Sequence, residues 1–123
     1  MRDYDWANFR PHFDADGDNT AQTILAVNGC LSKIEIANPN VEDAFIQIYD
    51  ETGTITVGTT VPKQSIHVPG GGAGFYGSKI VSYGQPGLPF QNSIKYACTT
   101  TPGGAIDPTV GLTVSAIYYN PER

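Results

Sequence analysis

The chain has 123 residues, seven Lys and Arg against twelve Asp and Glu, and a formal net charge of −5. That length accommodates one domain around one core, and 40% hydrophobic residues suffice to fill it. Charged residues make up only 15%, below the quarter usual for soluble domains. The sequence has neither the basic patch that duplex nucleic acid requires nor an apolar run of membrane-spanning length.

Residues 1–19 differ from the rest. Tyr4, Trp6, Phe9 and Phe13 alternate with polar residues, Pro11 interrupts, and Asp14-Ala-Asp-Gly-Asp-Asn19 closes the stretch. No apolar h-region of a secretory signal is present, which points to synthesis in a cytoplasm. The stretch reads as an extended aromatic, acidic arm (1–19) ahead of a β domain (20–123). Four aromatics need a docking place, either on the arm's own domain or on a neighbouring subunit. The alternate aspartates Asp14, Asp16 and Asp18 offer hard oxygen ligands, a weak calcium candidate. The EF-hand pattern fails, because Asn19 and Leu25 stand where Gly and Glu would be needed. The competing reading is an Asp/Gly turn.

From Thr20 the period is two. Thr23–Val27 and Cys30–Ala37 flank Asn28-Gly29, the short signal of a type I′ hairpin. Cys30, Ser32, Ile34 and Ile36 share one face, expected in the core, with Leu31, Lys33 and Glu35 opposite. Asn38-Pro-Asn40 turns the chain. In Ala44–Tyr49, Ala44, Ile46 and Ile48 oppose Phe45, Gln47 and Tyr49. Two short β runs follow, Ile55–Val57 and Gln64–Val68, with Pro62 and Pro69 at strand ends or a sheet edge. A strand centred on Lys79–Val81 precedes a loop over 84–89. Ser93–Thr99 and Gly111–Tyr119 alternate cleanly, the latter with Leu112, Val114, Ala116 and Tyr118 on one side. The expected fold is all-β: a single antiparallel β-sandwich of jelly-roll type with about eight strands, preceded by the arm.

No catalytic set is visible. Ser65 and His67 share a strand face, but no Gly-x-Ser-x-Gly elbow accompanies them. The acids sit in turns and the arm rather than as a pair across a cleft. Gly70–Gly74 lacks the Lys-Ser/Thr of a phosphate loop; it reads as a hairpin tip or a place of close backbone approach between subunits. Cys30 and Cys98, the only cysteines, read as reduced core thiols; the alternative, a disulfide, requires their strands to be neighbours. Tyr76, Tyr83, Tyr96, Tyr118 and Tyr119 suit a sugar-stacking platform or an interface equally. Between Gly53 and Pro121 the only charges are Lys63, Lys79, Lys95 and Asp107. So uncharged a surface is either hydroxyl-rich and solvated or covered by a partner. On the second reading Val57, Thr59, Val61, Ile66 and Val68 are the expected subunit interface.

Asn38-Pro-Asn40, Ile46-Gln-Ile-Tyr-Asp50, Val57-Gly-Thr-Thr-Val-Pro62, Val68-Pro-Gly-Gly71, Ala97-Cys-Thr-Thr-Thr101 and Gly111-Leu-Thr-Val114 resemble small tailed-phage virion proteins of β-sandwich type. The resemblance spans residues 28–119. It implies a structural role without a catalytic residue or cofactor, as a capsid decoration or cement protein on the virion surface. The expected partners are the major capsid protein and copies of the chain itself, most naturally as a homotrimer on a lattice symmetry position. Tyr4, Trp6, Phe9 and Phe13 are then the expected anchors, and deleting residues 1–13 should abolish attachment while sparing the fold. The alternative is a carbohydrate- or receptor-binding β-sandwich of a phage fibre or spike.

Overall fold

A computed structural model describes residues 8–72 and 74–121. Its elements are nine strands: β1 (Phe9–Gly17), β2 (Gln22–Leu25), β3 (Gly29–Asn38), β4 (Ala44–Tyr49), β5 (Gln64–Val68), β6 (Gly77–Ser82), β7 (Leu88–Phe90), β8 (Ile94–Thr99) and β9 (Leu112–Tyr119). They form two antiparallel sheets. The first runs β1-β9-β3-β6, with β7 also pairing β3; the second runs β2-β8-β4-β5. The fold is an all-β sandwich. Its core joins Leu31, Ile34, Ile36, Leu112, Val114 and Ala116 of the first sheet to Ile46, Ile48, Val68, Ile94, Tyr96 and Cys98 of the second. The inward residues follow the two-residue period, because side chains alternate across a strand.

Several expectations change. The segment expected as an arm supplies β1, an edge strand in register with β9 from Phe9↔Tyr119 to Asp14↔Val114. Residues 9–17 are therefore part of the sandwich, and the fold has no division at residue 19.

The Asn28-Gly29 hairpin does not form, since β2 pairs β8 in one sheet and β3 pairs β9, β6 and β7 in the other. Gly29 serves close approach instead. A Cβ there would stand 2.4 Å from Leu25 Cδ2 and 2.7 Å from the Tyr119 carbonyl oxygen.

Leu31, expected beside Lys33 on the outer face, is fully buried. The β3–β9 register shifts between Leu31 and Lys33. This bulge inserts a residue and reverses the facing of the strand start, so Leu31 turns in and Cys30 turns out, half-buried.

Ile55–Val57 is not a strand. The N–H groups of Thr59 and Thr60 donate to the Thr56 carbonyl, and the Thr56 N–H donates to Thr60 Oγ1. Threonine hydroxyls that bond locally compete with sheet pairing. Conversely, Leu88 and Pro89, expected in a loop, lie in β7, a three-residue strand. Its shortness tolerates a proline.

The two outer faces differ. On the second sheet, outward-facing Gln47, Tyr49, Ala97 and Thr99 are all at most 1% exposed, beneath the 50–63 and 100–111 loops. Gln47 Nε2 donates to Thr99 Oγ1 and to the Thr101 carbonyl, and Lys95 Nζ donates to the Gly53 carbonyl. The two loops touch, for a Cβ on Gly58 would lie 2.7 Å from Ala105 Cβ. The first sheet carries no such cover among the described residues.

Candidate functional site

Strand pairing places four residues side by side in each row across the bare outer face of the first sheet. One row is Pro11–Ile117–Lys33–Ser82 and the next is Phe13–Ser115–Glu35–Ile80. All eight are exposed; Phe13 keeps 67% and Ile80 56% of its surface in water. Beyond the first row lie Phe9, Tyr119 and Cys30, with the Phe9 and Tyr119 rings 4.7 Å apart and tilted by 52°. Lys33 and Glu35 are the only charges in these rows. Isolated exposed apolar residues are ordinary on a monomer, but a contiguous patch marks an interaction site.

The edges of this sheet are guarded. On β1, Arg10, His12 and Asp14 alternate with the outward Phe9, Pro11 and Phe13 and so point to the core side. On β6, Lys79 is paired with the buried Ile36 and therefore lies on the core side as well. Inward-pointing charge on an edge strand opposes edge-to-edge pairing. The face, rather than the edge, is open to a partner.

Of the expected anchors, Phe9 and Phe13 lie on this face; Tyr4 and Trp6 lie outside the described residues. The expected subunit interface is dispersed. Ile66 and Val68 belong to the core, at 9% and 0% exposure, because the inward side of β5 is the one that carries them. Val57, Thr59 and Val61 lie on the 50–63 loop, where Thr59 and Val61 are exposed and Val57 is half-buried.

The aspartates of residues 14–18 have local work. Asp14 Oδ1 accepts from the Asp16 N–H at 3.0 Å and its Oδ2 accepts from the Tyr96 hydroxyl at 2.6 Å. Asp18 Oδ1 accepts from the Thr20 N–H. Among the described residues no group of three potential metal-ligating side chains converges. Asp14, Asp16 and Gly17 lie within β1 rather than in a turn ahead of the first strand, and only Asp18 lies past the strand end.

Tyr96 is fully buried. Its single proton goes to Asp14, so His12 Nε2, 3.0 Å away, must donate to the phenol oxygen. The chain His12–Tyr96–Asp14 ties edge strand β1 to β8 of the opposite sheet. Burial pushes the Tyr96 hydroxyl far above its ordinary range, and Asp14 adds to the shift. His12 is held below its ordinary value by burial, against the pull of Asp14.

His67 and Asp43 form an exposed pair at 2.9 Å, and the Gly70 N–H donates to the other Asp43 oxygen. That N–H first, then His67, keeps the Asp43 carboxyl below its usual range. The cluster clamps the glycine loop to the start of β4. A Cβ on Gly70 would fall 2.1 Å from the Val41 carbonyl oxygen, so this glycine serves a close approach within the chain.

A hub that sequence reasoning missed is Asn38-Pro-Asn40, read only as a turn. Buried Asn38 Oδ1 accepts from the Asn40 N–H and side-chain amide, and its Nδ2 donates to the Glu42 carbonyl. Asn40 in turn bonds both backbone groups of Val110, and its carbonyl accepts from the Gly71 N–H. Three loops are joined there. The repeated Asn was the available signal, but its partners lie up to 70 residues away.

No family model matches the chain, and neither does a curated protein or a solved structure.

Proposed function

We propose that this chain is a virion structural protein, a capsid decoration or cement subunit that acts as a symmetric oligomer by burying surface. The observation that carries the reading is the outer face of the first sheet, uncovered among the described residues, where Phe13, Ile117 and Ile80 stand exposed near Phe9 and Tyr119 and Lys33 and Glu35 are the only charges of the two rows. A few buried anchors, aromatic ones prominent among them, carry most of the energy at interfaces. The strand order β1-β9-β3-β6 over β2-β8-β4-β5 supports the jelly-roll reading, since the chain crosses between the sheets at every connection except β4–β5 and β6–β7. The likeness of residues 28–119 to small tailed-phage virion proteins supplies the particle; the apolar face supplies the means of assembling the symmetric oligomer, whose copies attach together by avidity.

The test uses point substitutions rather than deletion of residues 1–13, because that deletion would remove His12 and half of β1 from the sandwich. The protein should be found in purified particles and should co-sediment with capsids lacking it. Phe13→Ser with Ile117→Ser should weaken co-sedimentation at least about tenfold, the scale of an interface anchor, while the folded spectrum persists. Absence from particles, or full co-sedimentation by the double variant, defeats the proposal. Selective glycan binding would favour the carbohydrate-recognition alternative, for which exposed Phe75 and Tyr76 in the 69–76 loop are the available stacking groups.

A further inference from the structure

We propose that the outer face of the first sheet mates with the same face of a second copy, about a twofold axis that crosses the strands between the Lys33 row and the Glu35 row. This inference rests on the reading of that face as a docking surface and names its occupant.

The register carries the argument. A twofold axis lying in the interface and perpendicular to the strands sets each strand over its own copy, running the opposite way. The row Pro11–Ile117–Lys33–Ser82 then meets the row Phe13–Ser115–Glu35–Ile80 of the second copy. Position by position, Pro11 faces Phe13, Ile117 faces Ser115, Lys33 faces Glu35 and Ser82 faces Ile80. Three of these contacts set a large side chain against a small one, which lets facing sheets interdigitate. The fourth joins opposite charges, and the symmetry makes it twice. At the roughly 30° angle of aligned sheets the rows nearest the axis keep this pairing.

Other arrangements of the same face fit worse. An axis parallel to the strands and running along β3 would place Lys33 over Lys33 and Glu35 over Glu35, which is repulsive. One running between β9 and β3 would set Lys33 against Ile117 and Glu35 against Ser115, leaving both charges without an opposite partner. A threefold ring uses two different patches per subunit and would leave this self-complementary pattern unused. Of the five residues expected at the subunit interface, Val57, Thr59, Val61, Ile66 and Val68, the last two are taken by the core. Extension through the sheet edges is opposed by Arg10, Asp14 and Lys79 on their core-facing sides.

A charge swap tests the pairing. Sedimentation velocity over a concentration series should give a species of twice the monomer mass. Lys33→Glu alone, and Glu35→Lys alone, should each raise the dissociation constant at least about tenfold, because both symmetric contacts become like-charged. The double variant Lys33→Glu, Glu35→Lys should return it to within about threefold of the wild type, since the swap restores opposite charges across the axis. Circular dichroism checks that all three are folded. A wild-type protein that stays monomeric, or a dimer indifferent to the single reversals, or a double variant no better than the singles, overturns the inference. Particle binding is read separately. A monomer that still co-sediments with capsids through Phe13 and Ile117 would overturn the twofold and leave the decoration role standing. A dimer absent from particles would do the reverse.

Discussion

At the scale of single residues, the His12–Tyr96–Asp14 chain couples stability to pH. His12 sits below its ordinary value of 6.5, because burial disfavours the imidazolium more than Asp14 favours it. Between the folded value and 6.5 the unfolded chain binds more protons than the folded one, so stability rises with pH across that window. The contribution is complete above 6.5 and is lost as pH falls toward the folded value. Urea midpoints measured from pH 7.5 down to 5 should therefore decline, and His12→Gln, which retains a donor for Tyr96, should flatten that decline. An unchanged slope in the variant would assign the pH response to other groups. The partner of His12, Tyr96, is 84 residues away, and no local pattern announces such a bond.

Among elements, β2, β3 and β9 are brought to one place by a residue without a side chain. Gly29 opens β3 where Leu25 and the Tyr119 carbonyl close in on it. Gly29→Ala should cost about 1–3 kcal/mol by overpacking, read as a lowered denaturant midpoint with an unchanged slope. Loss of less than about 0.5 kcal/mol, the level of an ordinary surface change, would mean that the backbone shifts freely there. The Asn-Gly pair looked like a hairpin because both residues tolerate positive φ, yet Gly29 is not among the positive-φ glycines. Its importance is spatial, and a two-residue motif cannot distinguish conformational freedom from lack of room. The bulge at Leu31–Lys33 was illegible for a similar reason. Alternation predicts facing only while the register is unbroken, and the break is defined against β9, a strand some 80 residues downstream.

On the scale of the whole molecule, the sheets separate the two cysteines. Cys30 lies on β3 of the first sheet, half-buried and turned outward, and Cys98 lies on β8 in the core. Both are free thiols, and burial pushes each above its ordinary value, with nearby Asp14 adding to the shift of Cys98. Since the thiolate is the reactive form, a thiol reagent should modify Cys30 slowly in the native protein and Cys98 only after unfolding. Mass spectrometry after native and denatured labelling should count one adduct and then two. Two adducts in the native state would mean that the core around Tyr96 opens readily. The expectation of two core thiols was half right, because the bulge that turned Leu31 inward also turned Cys30 outward.

The residues by themselves determined that this is an all-β sandwich and which side chains of β4, β8 and β9 share a face. Those features follow from β-branched and aromatic composition and a two-residue period, both of which are local properties of a strand. The tertiary structure alone decided that residues 9–17 are an edge strand rather than an arm, that Ile66 and Val68 belong to the core, and that one outer face is covered while the other carries no such cover among the described residues. Each of these depends on a partner far along the chain: β9 for β1, the opposite sheet for β5, and the 100–111 loop for the covered face. A chain-local pattern can specify which side of a strand is apolar, but only the packed whole determines what lies against it.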